Sequence, residues 1–219
     1  MAFKITHFND ILESHSRKIY DVVFELFWYS QFNFFIRVRN LMARNKRVQD
    51  REEKQEEIIH AARDLFLNEG YDATSINRIA HEAQVAPNTI YWYFKNKDEL
   101  LVSILNAELT KHLNAYILQS TQDPTERLIW VVEQLQLANR LVSTVHARIK
   151  FSTELREWHE KFHLLVEGLL RLELQTLEIA HDLIETRVKI AVFTIEGLLS
   201  HQLSEPEKRE ICKALLAKY

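Results

Sequence analysis

Only three glycines and three prolines punctuate this chain of 219 residues. A fold made of short strands needs frequent turns, and turns draw on glycine and proline for their special backbone angles. A chain this short of both favours long helices over a sandwich or barrel, so the expected class is all-α. Hydrophobic residues make up 47% of the chain, enough to fill a core beneath such helices. The length suits one large or two small domains, since domains run to ~100–200 residues.

Charge narrows the function classes less than it does for many binders. The net charge is −3, so the basic excess that marks many nucleic-acid or anionic-membrane binders is absent. The segment from Met42 to Leu101 is itself slightly acidic, and a DNA-facing surface in it must be basic locally or not at all. Cys212 is the lone cysteine and can form no disulfide within the chain, which fits a reducing cytoplasm. No run of ~18 uncharged apolar residues suggests a membrane span, and the N-terminus lacks the basic, apolar and small-residue zones of a secretory signal. A cytoplasmic location is expected, and a membrane is not an expected partner.

Composition shifts near residue 42. Phe3, Phe8, Tyr20, Phe24, Phe27, Trp28, Tyr29, Phe32, Phe34 and Phe35 crowd residues 1–41 without a clean helical stripe. Three readings stand side by side for this N-terminal extension. It is a helical arm, or a partner-binding or membrane-surface segment, or upstream DNA read through ahead of a native start at Met42. Residues 42–101 and 102–219 are expected to form two further units.

From Glu53 the pattern turns helical. Ile58, Ile59, Ala62, Leu65 and Phe66 recur at helical steps, behind acidic first turns at Glu52, Glu53, Glu56 and Glu57 that suit the helix dipole. Gly70 reads as the C-terminal cap. Thr74 or Ser75 is the N-cap of a short second helix with a buried stripe of Ile76, Ile79, Ala80 and Ala83. A turn at Gln84-Val85 leads to a third helix opened by Pro87. There Ile90 and Phe94 face the core, leaving Asn88, Thr89, Tyr91, Trp92 and Tyr93 for other faces. Asn96 and Glu99 resemble a capping box for a fourth helix. Three short helices in this order make a helix-turn-helix, which lays one helix in the ~12 Å major groove of DNA.

Residues Ala61 to Leu101 resemble the DNA-binding segment of the TetR family of transcriptional regulators. The matching residues are Ala61-Ala62-Arg63-Asp64-Leu65-Phe66, Gly70-Tyr71, Thr74-Ser75, Ile79-Ala80, Ala83, Val85, Thr89-Ile90-Tyr91-Trp92-Tyr93-Phe94 and Lys97. Gln84 departs from the family's usual glycine, so a positive φ and a slightly altered turn are expected there. The resemblance implies a DNA-contact set. Thr74 and Ser75 would touch phosphate, and Asn77 and Arg78 would reach DNA from the second helix. Pro87, Asn88 and Thr89 would open the recognition helix. Tyr91, Trp92 and Tyr93 would supply aromatic contacts, and Lys97 would clamp a phosphate. Arg44, Lys46 and Arg47 would form a basic arm. Against these stand plainer roles: core aromatics for Tyr91 to Tyr93, a surface ion pair for Arg78, and a solvated tail for Arg44 to Arg47.

The remainder reads as helices over about 97–119, 124–139, 140–151, 153–176, 178–203 and 205–218, with capping boxes at Asp123-Pro124-Thr125-Glu126 and Ser204-Glu205-Pro206-Glu207. The resemblance implies a homodimer joined through the last two helices, at Ile184, Val188, Val192, Ile195, Leu199, Ile211 and Leu215, and a palindromic operator. The plainer alternative is that these residues only fill the chain's own core. The resemblance also implies a small-molecule pocket between the middle helices. Tyr116, Trp130, Leu137, Phe151, Trp158 and Phe162 are its expected lining, with Leu113, Val145 and Leu165 as further candidates.

His159 and His163, four apart on one helix, suit a shared metal. No third ligand is matched to them, with His146, Glu154, Glu160 and His181 open as guesses, so no metal or cofactor is assigned. No glycine-rich phosphate loop, nucleophile elbow or Cys/His zinc spacing is present, and enzymatic activity is not expected. The expected function is a repressor released from DNA by a small molecule. The alternatives are an architectural DNA-binding protein of the same fold, or a membrane-tethered regulator using residues 1–41.

Overall fold

Each of the three prolines opens a helix, where its missing N–H leaves no bond unmade. The computed structural model describes residues 46–118 and 123–217, so the expectations for residues 1–41 and for Arg44 lie outside the described residues. Among the described residues every regular element is a helix. The order is α1 (Lys46–Asn68), α2 (Ile76–Glu82), α3 (Pro87–Tyr93), α4 (Lys97–Leu118), α5 (Pro124–Leu137), α6 (Asn139–Arg148), α7 (Thr153–Thr176), α8 (His181–Ser200) and α9 (Glu205–Leu216). The all-α expectation holds, and the later helices match the expected spans within a few residues at each end.

One boundary moves further. α1 starts at Lys46 rather than Glu53. Its first two turns, Lys46 to Glu53, are almost wholly polar, so they carry no apolar rhythm for periodicity to register.

Two cores organise the chain. The first gathers Ile58, Ala62, Phe66, Ile79, Ile90, Phe94 and Leu101 from α1 to α4, and it draws in Leu141 and Val145 of α6 and Leu155 of α7. The second joins Leu128 and Val132 of α5, Leu170 and Leu174 of α7, Val188, Ala191 and Ile195 of α8, and Cys212 and Leu216 of α9. The α4 helix spans both regions, meeting α1 at one end and α7 along its length.

The turns are built by hydrogen bonds that the local sequence supplies. Gly70 sits at φ +94 after α1, where its N–H reaches the Leu65 carbonyl at 3.3 Å. α2 ends in a paired cap: Gln84 N–H donates to the His81 carbonyl at 3.2 Å, and Val85 N–H to the Ala80 carbonyl at 2.9 Å. That cap needs a left-handed residue, and Gln84 takes φ +53 as its departure from glycine implied. Left-handed backbone strains an L-residue by roughly 1–2 kcal/mol. Gln84→Gly should therefore stabilise the fold by about 0.5–1 kcal/mol and raise Tm by about 1–4 °C in a thermal melt. A Tm that stays or falls would show a turn without strain.

The caps themselves differ in detail from expectation. Ser204 and Glu207 form the full reciprocal box. Asp123 caps α5 through Thr125 N–H at 2.8 Å, but Glu126 turns outward to pair with Arg209 of α9. Asn96 accepts from Glu99 N–H at 2.8 Å, while the Glu99 carboxylate takes the N–H of Lys95 instead of that of Asn96.

Candidate nucleic-acid interface and enclosed cavity

α3 is seven residues long, too short to stand alone. It is held by two side chains, Ile90 and Phe94, both buried in the first core. With that face fixed inward, Pro87, Asn88 and Tyr91 are forced outward, and Trp92 is 82% exposed. Tyr91 and Trp92 are thus surface aromatics and not core filling. Tyr93 is intermediate: it leans on the core and carries the Arg51 guanidinium over its ring at 5.9 Å. Thr89 is half-buried, and its N–H closes the first turn onto the Ala86 carbonyl at 2.9 Å.

On α2, Ser75 is the N-cap, accepting from Arg78 N–H at 3.1 Å, and it stays exposed beside Asn77. Thr74 corrects the expectation of a phosphate contact. Its side chain is fully buried, and its hydroxyl donates to the Gly70 carbonyl at 2.7 Å. It locks the turn that aims α2. Arg78 takes the plainer of its two roles, forked between Glu82 at 2.8 Å and Glu69 at 3.1 Å. Lys46 and Arg47 lie on the backbone of α1, but their side chains fall outside the described residues.

Lys97 is also more structural than expected. Its ammonium donates to the Tyr71 carbonyl at 2.7 Å and the Thr74 carbonyl at 2.9 Å, and it lies 4.0 Å from the Tyr71 ring centre. Burial lowers its pKa. Two of its three protons bind backbone, leaving a single one for a phosphate.

Beneath it, Asp98 ties the reading head to the body. Arg148, at the end of α6, grips the Asp98 carboxylate with two bonds of 2.7 and 2.9 Å, and Tyr71 donates to it at 2.6 Å. Burial works against the carboxylate's charge, but these donors outweigh it and hold Asp98 below the usual carboxylate range. Arg140, at the start of α6, donates to the carbonyl of Asn68 at the end of α1. α6 is therefore a strap between the helix-turn-helix and the rest.

Between α4, α5, α6, α7 and α8 lies a cavity of about 230 Å³. Tyr116, Trp130, Trp158 and Phe162 line it as expected, with Leu113, Val145 and Leu165. Leu137 and Phe151 do not. They are 78% and 80% exposed, because Leu137 ends α5 on its outer side and Phe151 sits in the turn after α6. Two carboxylates in the wall are matched by cations: Glu173 pairs with Arg127, and Glu108 with Arg63. Matched charges leave walls that are mostly apolar and aromatic.

The expected dimer residues divide by burial in the single chain. Ile184, Val188 and Ile195 are buried in the chain's own second core, and Val192, Leu199, Ile211 and Leu215 pack partly buried against it. The broad apolar face of α8 points inward because α5, α7 and α9 surround it. Leu183, Ile190 and Phe193 are the exposed apolar residues on the other side of α8. Steps of seven and three place them on one face, and Gly197, four further on, adds a bare backbone with open space above it.

Of the four guesses left open for a third ligand, His146 is the one that the fold brings to the pair. His146 of α6 comes up against His159 and His163 of α7, with one ring nitrogen from each within 4.8 Å of the others. Burial, with His163 and His146 nearby, pushes His159 down to about 4. Residues 146 and 159 sit on different helices, so no spacing along the chain could have joined them.

A short exposed helix with a fixed inner face, preceded by a capped partner helix and strapped to a hollow helical body, is a helix-turn-helix joined to an all-helical unit. Residues 58–104 match the family model described as bacterial regulatory proteins, tetR family. It is 39% identical over 56 residues to the fatty acid metabolism regulator protein of Bacillus subtilis, a match covering 26% of this chain and 29% of that protein. The chain thus spans less than a third of that relative's length.

Among solved structures the fold is similar to a transcriptional regulator from Rhodococcus sp. Rha1, with a TM-score of 0.60 and 22% identity over 74% of this chain and 91% of that one. It is also similar to the regulator FadR of Bacillus subtilis in complex with stearoyl-CoA, with a TM-score of 0.53 and 22% identity over 74% of this chain and 95% of that one. At these identities the likeness is one of fold. Among the described residues no helix is long and apolar enough to cross a membrane.

Proposed function

We propose that this protein is a homodimeric repressor that reads a palindromic operator with α3 and releases it when a small, largely apolar molecule enters the cavity. The observation that carries the reading is the pair Tyr91 and Trp92. Aromatic surface of this size, held outward by a rigid core on a helix of groove-fitting width, is surface made for contact. Asn88 beside them suits a bidentate contact with adenine. The cavity favours ligand response over an architectural role, and the stearoyl-CoA held by FadR supports an apolar ligand class. Residues 42–101 act in this reading as the DNA-binding unit, and 102–219 as the sensing and dimerising unit. The cytoplasm is the location that goes with it.

Fluorescence anisotropy tests the reading, using duplex from the gene's own upstream region against scrambled duplex over a salt series. A preference of about 10³ or more, falling steeply with salt, is the expected result. Equal affinity for both duplexes would favour the architectural alternative. Tyr91→Ala should weaken operator binding by about 10–100-fold and change sequence preference, since base-edge contacts are worth roughly 1–3 kcal/mol each. Unchanged operator affinity in that variant would remove α3 as the reading helix.

A further inference from the structure

The cluster of His146, His159 and His163 lies apart from the DNA-contact surface and is not needed by the operator-binding reading. We propose that these three imidazoles, with the carboxylate of Glu196 as a fourth ligand, hold one divalent transition-metal ion that cross-links α6, α7 and α8.

The geometry is close to what such an ion requires. Two nitrogens at ordinary zinc–nitrogen lengths and tetrahedral angles lie about 3.3 Å apart. The Nε2 atoms of His159 and His163 are 3.1 Å apart. Their i, i+4 spacing on α7 puts both rings on one face. The His146 ring meets His159 edge-on, with centroids 5.2 Å apart, and because His146 is exposed its ring is free of the packing that would resist a small turn toward an ion. Glu196 of α8 stands 4.0 Å from the Nε2 of His163. A solvent-open hollow bordered by these four residues gives an ion a way in.

The donor set decides the class of ion. Imidazole nitrogens with one carboxylate and no thiolate suit zinc, nickel, cobalt or copper, whereas magnesium and calcium prefer oxygen cages. The competing arrangement is a single N–H···N hydrogen bond between His159 and His163, with His146 merely alongside. It predicts no metal affinity.

An ion here would act on the strap. His146 lies on α6 between Arg140 and Arg148, the two residues that hold α1 and α4. Fixing α6 to α7 and α8 would bias how the reading head sits on the body. This coupling rests on the operator-binding reading; the site itself does not.

The test uses the full chain, free of any affinity tag. Titration with Co²⁺ should give one ion per chain and the visible absorption of nitrogen-ligated cobalt, and Zn²⁺ should displace it. His146→Asn and His159→Asn should each weaken binding by at least about 100-fold, because even outer-shell partners of metal ligands are worth 10–100-fold. His146 is exposed, so its variant keeps the fold, and circular dichroism checks both. No cobalt binding, or binding that survives both substitutions, overturns the site. Zn²⁺ should shift operator affinity of the unmodified protein at least fivefold, the low end of typical coupling, and leave His146→Asn unmoved. Cobalt binding with operator affinity unchanged by Zn²⁺ keeps the site and overturns the coupling. A protein that binds no operator sinks the reading above, while the cobalt titration still decides the site.

Discussion

Charging the outer face of α8 with Ile190→Glu and Phe193→Glu together should yield a folded monomer whose operator affinity falls by about 10³-fold or more. Phe193 is 70% exposed in the single chain and Ile190 also faces outward, so the substitutions leave both cores intact. In a symmetric dimer each substitution appears twice across a self-complementary surface, so four carboxylates would meet in one apolar contact. Burying an unpaired charge costs far more than such an interface returns. A monomer presents one α3 to one half-site. It loses the paired contacts by which specific complexes exceed non-specific ones, a gap of about 10³–10⁷. Sedimentation equilibrium gives the mass and anisotropy the affinity. A variant that still sediments as a dimer would place the interface elsewhere, and a variant that unfolds would show that these side chains serve the monomer.

Asp98→Ala should destabilise the protein by about 2 kcal/mol and weaken the link between cavity and DNA-binding domain. The substitution strands three donors at once, the two of the Arg148 guanidinium and the Tyr71 hydroxyl. Losing the acceptor of a fully buried pair would cost about 3–5 kcal/mol. Partial solvation of Arg148 brings the figure down toward that of two or three ordinary hydrogen bonds. The pH dependence has a definite sign. Asp98 has a depressed pKa in the folded state, so its contribution is present at neutral pH and is lost as pH falls through and below the ordinary carboxylate value of about 3.9. Urea unfolding of wild type and variant at pH 7 and near pH 3 should show curves that differ at the first and converge toward the second. A constant gap between them would mean that Asp98 acts through packing alone. Arg148→Lys makes a useful companion, since a single ammonium cannot reproduce the two-pronged grip.

Much of the reading head was legible along the chain. The run from Ile58 to Phe94 places its apolar residues at helical steps, its caps at Gly70 and Ser75, and its first-turn proline at 87. Each of these acts through neighbours no more than five residues away. The strained Gln84 was expected through the resemblance alone, from the glycine the family usually carries at that turn. The outward aim of Tyr91 and Trp92 also follows locally, once Ile90 and Phe94 are assigned to the core.

What resisted local reasoning was the choice between equally apolar faces and equally polar partners. α8 carries apolar residues on two sides. Periodicity marks the broader one, and only the packing of α5, α7 and α9 shows that Ile184, Val188 and Ile195 are buried while Leu183, Ile190 and Phe193 stay outside. Thr74 and Lys97 looked like phosphate ligands until the fold brought the Gly70, Tyr71 and Thr74 carbonyls to them. Leu137 and Phe151 were lost from the cavity by a fraction of a turn at a helix end.

Helix, cap and turn are decided by groups within a few residues, so the amino-acid order alone determined the all-α class, the helix-turn-helix and the outward face of α3. Burial and pairing depend on which distant helices arrive together. Tertiary structure therefore decided which faces α8 hides, that α6 straps the head to the body, and that His146 meets His159 and His163.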